Sequence, residues 1–129
     1  MQDQNKIRVI QESVPGKQVT LAHVIPQPIP ELFEKIGLVD GSGALGIMTI
    51  TPSEGAIIAS DVASKASGIR LGFVDRFNGA LIITGLVADV EESLENVMRV
   101  LCDEMGYARV EMTNPDHLAT LAGVHPALN

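Results

Sequence analysis

Tryptophan is absent from this 129-residue chain, and its only aromatic side chains are Phe33, Phe73, Phe77 and Tyr107. So few rings argue against a base-stacking platform for nucleic acid and against a sugar-binding aromatic wall. The single cysteine, Cys102, excludes an internal disulfide and a multi-cysteine metal site within one chain. Positive charge is scarce: nine Lys and Arg face sixteen Asp and Glu, a net charge of −7. Such a chain has no electrostatic reason to seek nucleic acid or an anionic membrane. No apolar run approaches the roughly eighteen residues of a membrane span. The opening residues, MQDQNKIRVIQE, hold no stretch apolar enough for a signal peptide, so the expected location is the cytoplasm.

Catalytic constellations are missing too. Ser53, Ser60 and Ser64 fall on or at the start of a predicted helix, where serine is ordinary. Gly41-Ser42-Gly43 leads into a strand, not into the helix that a phosphate-cradling loop requires. His23 stands alone in a strand and reads as a satisfied structural histidine. Asp116, His117 and His125 match no zinc-ligand spacing and read as a solvated tail. Cys102 lies at the edge of a helical stripe, where a small buried hydrophobe is expected. No catalytic residue, metal site or cofactor is expected, and the chain is not expected to be an enzyme.

What is present is a 46% hydrophobic, 19% charged composition, that of one folded domain with a real core. Residues 7–14 and 17–25 read as two strands, separated by Val14-Pro15-Gly16-Lys17, a type II turn signature. Pro26, Pro28 and Pro30 stop the second strand, and Pro30 suits the first turn of a short helix over 31–36, closed by Gly37. A strand over 44–51 precedes Thr51-Pro52-Ser53-Glu54, which has the pattern of a capping box opening a helix. That helix should run to about Ser67, with a stripe of Ile58, Val62 and Ala66 widened by Ala59 and Ala63.

Residues 69–75 alternate, with Ile69, Leu71 and Phe73 on one face. Asn78-Gly79 signals a hairpin into the next strand, 80–87. The longest helix spans 87–105, with Val87, Val90, Leu94, Val97, Leu101 and Met105 inward and Asp89, Glu91, Glu92, Glu95 and Arg99 outward. Its acidic face reads as a solvated surface. A last strand over 108–113 completes β-α-β-β-α-β, the ferredoxin-like α+β order of an antiparallel sheet with two helices on one face. The bare face needs a cover, either the short helix or a partner subunit. One local feature stands out chemically. Asp75, Arg76, Phe77, Asn78 and Gly79 put a carboxylate, a guanidinium and an exposed ring on one hairpin tip, which in a ring of subunits would meet its own copies on the axis.

Three stretches, Val14 to His23, Gly46 to Glu54 and Gly72 to Ala80, resemble the circularly permuted bacterial microcompartment (BMC) shell proteins of the ethanolamine- and propanediol-utilization type. The likeness covers roughly residues 7 to 113. In the standard-order tile, a strand ending His-Val-Ile-Pro-Arg-Pro and its short helix come last. Here His23-Val24-Ile25-Pro26-Gln27-Pro28 comes first, as a circular permutation requires. The resemblance assigns the fourth sheet strand to residues 19–25 instead of 108–113. It implies a domain over 1–113, including an N-terminal strand and turn at 7–16, followed by a tail, 114–129, that lies beyond the likeness and could hold a short helix.

The resemblance further implies a structural, non-enzymatic homohexamer. Its partners would be other shell proteins, with encapsulated enzymes as a further candidate. The hairpin of Asp75, Arg76, Phe77, Asn78 and Gly79 matches the loop lining the central pore of standard hexamers. Ser60 to Ala66 matches a family pattern that puts Lys65, with Asp61 four residues before it, at the hexamer edge. Gln27 stands where the standard tile has an edge arginine, which removes a charge-assisted bidentate contact. Ile7, Val9 and Gln11 would belong to a strand that joins a small β-barrel over the pore, capping it. Ethanolamine, propanediol and choline compartments all fit this pattern. The rival from another class is an oligomeric ferredoxin-like small-molecule sensor, since one fold hosts many functions.

Overall fold

The computed structural model describes residues 16–38 and 43–115. Along them run β1 (Gln18–Ile25), α1 (Pro30–Lys35), β2 (Ala44–Thr51), α2 (Gly55–Ser64), β3 (Arg70–Asp75), β4 (Ala80–Gly85) and α3 (Val87–Met98). A π-helical turn, Arg99–Glu104, prolongs α3. The strands form one antiparallel sheet in the order β1-β2-β4-β3. The unit β2-α2-β3 straddles β4, which is the split βαβ arrangement. The fourth place is filled by β1, as the permutation requires. Residues 108–113 do not form a strand. They meet the outer edge of β1 at two parallel bridges, Gln18–Ala108 and His23–Thr113.

One sheet face carries α2 and α3. Val19, Ala22, Val24, Met48, Ile50, Leu81 and Ile83 point into it and meet Ala59, Ala63, Val90, Leu94, Val97, Met98 and Leu101. Gly46 lets α3 lie close to the sheet: a Cβ there would sit 2.6 Å from Val90 Cγ1 and 3.3 Å from Leu94 Cδ1. Each fully buried Leu or Met contributes about 1.5–3 kcal/mol.

Four local expectations need correction. The capping box does not form: the Thr51–Pro52 peptide is cis, and α2 begins at Gly55 with no side-chain cap. Its first N–H groups bond three residues back instead, Gly55 to Pro52 O (3.0 Å), Ala56 to Ser53 O (3.0 Å) and Ile57 to Glu54 O (3.1 Å). A tight backbone turn thus satisfies donors that a side chain was expected to take.

The helix also ends early, at Ser64, and its buried face is Ala56, Ala59 and Ala63, with Ile58 and Val62 on the flank. Small residues let α3 approach until Ser93 Oγ donates to Ala63 O at 3.2 Å. In β3 the register steps from Leu71–Ile83 to Phe73–Ile82, a bulge that breaks strict alternation. Ile69 and Val74 pack on the core, whereas Leu71 and Phe73 are exposed. Finally, Val87 is exposed at the head of α3, while Met98 joins the buried stripe.

The opposite sheet face is covered in part. Leu38, just after α1, packs against Gly72 of β3, where a Cβ would lie 2.9 Å from Leu38 Cδ1. Leu21 stays exposed. The expected strand over 7–14, the residues Asp40, Gly41 and Ser42 of the connection, and the tail beyond Pro115 lie outside the described residues.

Candidate functional site

The β3–β4 hairpin closes with four residues, Arg76 to Gly79, between the paired Asp75 and Ala80. The Asn-Gly pair does not act as a two-residue primed turn, since that would need positive φ at Asn78 and only glycines adopt it here. Asp75 builds the loop instead. Its Oδ1 accepts from the N–H of Phe77 (2.9 Å) and of Asn78 (3.1 Å), and its Oδ2 accepts from Asn78 Nδ2 (2.8 Å). Gly79 N–H donates to Asp75 O at 2.8 Å, and Ile50 N–H donates to Gly79 O at 2.8 Å, pinning the tip to the end of β2.

These bonds hold the Asp75 carboxyl below its ordinary value of 3.8; the Asn78 side-chain amide acts most strongly, then the N–H groups of Asn78 and Phe77. A carboxylate whose folded pKa is depressed stabilises the fold above its unfolded pKa, and that stabilisation fades as pH falls through the folded value. Asp75→Asn is therefore expected to flatten part of the acid-side decline in melting temperature between about pH 5 and pH 3. Thermal scans across that range check this, and an unchanged slope would count against the loop role of Asp75.

Arg76 stacks its guanidinium 4.9 Å from the centroid of the Phe77 ring. Phe77 is 77% exposed. Beside it opens a shallow hollow of about 330 Å³, lined by Ile57, Phe73, Val74, Asp75, Arg76 and Phe77. Ile57 and Phe73 are themselves about half exposed. One end of the sheet thus presents a polar-backed tip and an uncovered apolar patch.

The other end is marked by the row Ile25–Leu45–Thr84–Arg70. Strands of six to eight residues separate the two ends, about 20–26 Å at 3.3 Å per residue. Gln27 follows β1 at this end and is exposed. Asp61 and Lys65, toward the end of α2, form an exposed ion pair at 3.0 Å. The turn at Gly68 closes on the same end: a Cβ on Gly85 would meet Gly68 O at 2.6 Å, and one on Gly68 would meet Asp89 Oδ2 at 2.6 Å. The three residues matched to the edge motif are therefore brought to one end of the sheet, opposite the hairpin tip. Sequence reading missed Ile29, Leu86 and Val87, which are exposed at this end as well. Leu86 and Val87 directly follow β4, and Ile29 directly precedes α1.

Ile7, Val9 and Gln11 lie outside the described residues, but the edge they would border is described. Along the outer side of β1, Val19 N–H bonds Ala108 O (2.9 Å), Ala108 N–H bonds Lys17 O (2.8 Å), Thr113 N–H bonds Ala22 O (2.8 Å) and Val24 N–H bonds Thr113 O (2.8 Å). Lys17 Nζ reaches Met105 O at 2.9 Å and lies 5.2 Å from the Tyr107 ring centre. His23 Nδ1 pairs with Thr113 Oγ1 at 2.6 Å, the satisfied structural histidine expected. Cys102 is half-buried, and burial raises its thiol pKa. Among the described residues, no group of three or more His, Cys, Asp or Glu could hold a metal ion, and no helix is long and apolar enough to cross a membrane.

Known proteins share this fold. A family model described as the BMC domain matches residues 44–114. The shell protein PduU of Salmonella typhimurium is 52% identical over 106 residues, covering 82% of this chain and 91% of the relative. The shell protein EutS of Escherichia coli K12 is 54% identical over 109 residues, covering 84% and 97%. A solved CutR flat hexamer superposes with a TM-score of 0.74 at 48% identity, covering 83% of this chain and 97% of that one.

Proposed function

Since the chain belongs to the BMC-domain family of bacterial microcompartment shell proteins, we propose that it is a structural shell protein whose work is self-association into cyclic hexamers that tile into a shell. The observation that carries this is identity of about one half to shell proteins across most of the chain, one of them solved as a flat hexamer. The location that follows is the shell of a bacterial microcompartment in the cytoplasm. Its partners are further copies, other shell proteins and, at the inner surface, enclosed enzymes. No catalytic role is assigned. The sensor alternative finds no support among these relatives.

Within the ring, the hairpin of Asp75 to Gly79 points to the six-fold axis and lines a pore. The apolar surface around Ile57, Phe73 and Phe77 becomes buried between neighbouring subunits, and closed symmetry follows from a head-to-tail contact. Gln27, Asp61 and Lys65 then lie on the outer edge. Residues 7–14, with Ile7, Val9 and Gln11, supply a strand to a barrel shared among subunits. What supports a shared partner is that Ala108 and Thr113 already bond the outer edge of β1 toward its two ends. Residues 1–113 act as the permuted shell domain and 114–129 as a tail.

The test is native mass by light scattering on a sizing column. Six chains of 13.7 kDa give about 82 kDa for a closed ring. A dimer or trimer would leave the fold standing and remove the axis and edge assignments. Lys65→Ala should leave the ring mass and melting temperature unchanged, because an exposed i,i+4 pair contributes only about 0.3–0.5 kcal/mol, while reducing sheet formation several-fold. Electron microscopy at equal protein concentration reads the sheets, and undiminished sheets would refute the edge role of Lys65.

A further inference from the structure

Two helices start at the rim end of the sheet, and both are capped by the wrong kind of residue. Leu86 is the N-cap of α3 and Ile29 the N-cap of α1; both have extended backbone, and neither makes a side-chain cap bond. An N-cap normally favours Ser, Thr, Asp or Asn, whose oxygen takes one of the free N–H groups of the first turn. Here each helix forgoes that bond in favour of an aliphatic side chain that stays in water, Leu86 at 71% and Ile29 at 65% exposure. Val87 adds a third exposed aliphatic beside Leu86. Nothing in the folding of a single chain gains from this arrangement.

We propose that Leu86, Val87 and Ile29 form the apolar centre of the contact between neighbouring rings, each meeting the same end of a second copy of this chain across a two-fold axis. This rests on the reading above that the hairpin tip faces the axis, which makes the opposite end the rim. Charge selects a second copy as the occupant. The chain carries −7 overall, but much of the acidic excess lies on and after α3, at Glu91, Glu92, Glu95, Asp103, Glu104 and Glu111. The rim end carries both signs instead: the Asp61–Lys65 pair, Asp89 against Gly68, Glu31 after Ile29 and Arg70 at the start of β3, with the uncharged Gln27. A two-fold contact is self-complementary by construction: it can bring Lys65 of one copy to Asp61 of the other, with the aliphatic groups between. With glutamine at position 27, an apolar centre supplies contact that a charged edge side chain does not.

Leu86→Asp tests this because it should help the monomer. Asp is a good N-cap and favours the positive end of the α3 dipole. The expected result is an unchanged or higher melting temperature, a ring still near 82 kDa, and at least a tenfold loss of sheets pelleted at equal concentration. Sheets that persist would overturn the proposal, as would a wild-type ring that makes no lateral contact. A ring that falls apart would overturn it by placing Leu86 inside the ring. Phe77→Cys in a Cys102→Ala background tests the axis reading separately. Oxidative cross-linking within one ring, combined with undiminished Leu86→Asp sheets, would reject the rim contact alone. Absence of such cross-links, together with ring loss in Leu86→Asp, would reject the orientation.

Discussion

Gly79→Ala should lower stability by about 3 kcal/mol or more and loosen the hairpin end of the sheet. Gly79 has φ +76, a conformation that costs an L residue about 1–2 kcal/mol. A methyl group would also collide with the carbonyl oxygen of Ile50 and press on Ser53 Cα at 3.1 Å. Both neighbours are backbone, so neither can swing aside. Relief requires parting the loop from β2, which breaks the Ile50 N–H to Gly79 O bond, worth about 1 kcal/mol. Gly37→Ala is the control. Its φ is +83 but nothing lies within 4 Å of the added Cβ, so only the conformational cost of about 1–2 kcal/mol applies. Urea midpoints compared at one protein concentration decide it, because mass action makes the stability of an oligomer depend on concentration. A Gly79→Ala midpoint no lower than that of Gly37→Ala would refute the argument.

The same residues show what sequence can and cannot carry. The bounds of β2, 44–51, were readable because β-branched residues run between a glycine-rich connection and a proline. The end of the longest helix near Met105 was readable from the end of the apolar stripe, whereas the π-helical form of its last turn, Arg99–Glu104, was not. The bulge at Gly72 was not: a strand shows period two in sequence whether or not one residue is extra, and only pairing with Ile82 and Ile83 reveals the slip. The start of α2 misled because Thr51-Pro52-Ser53-Glu54 fits a side-chain cap, whereas backbone carbonyls three residues back were available to the same donors.

Gln27, Asp61 and Lys65, proposed above for the edge, came through motif likeness, and the hairpin tip through its own composition. Val87 was read as the first residue of the core stripe, and Leu86 and Ile29 fall in no periodic pattern, so none of the three stood out. Whether one is exposed depends on how far its helix overhangs the sheet, which is a property of the assembled fold.

Phe73→Asp should remove the ring while sparing the subunit. Past the bulge, Phe73 faces away from the core formed with Val74, and it is 45% exposed in the isolated chain. Losing a β-favouring aromatic from such a position costs the fold up to about 1 kcal/mol. The cost in a ring is of another order. With Ile57 and Phe77 it forms the exposed apolar surface of the hairpin end, the surface assigned above to the neighbouring subunit. A carboxylate buried there without a partner costs several kcal/mol, and symmetry repeats that cost at every interface. The mass by light scattering should therefore fall from about 82 kDa toward that of a single chain, with the far-ultraviolet circular dichroism unchanged. Phe73→Leu keeps the apolar character and should keep the ring. A Phe73→Asp hexamer of full mass would mean that the subunits meet through some other surface, because no closed interface of this polarity absorbs six unpaired carboxylates.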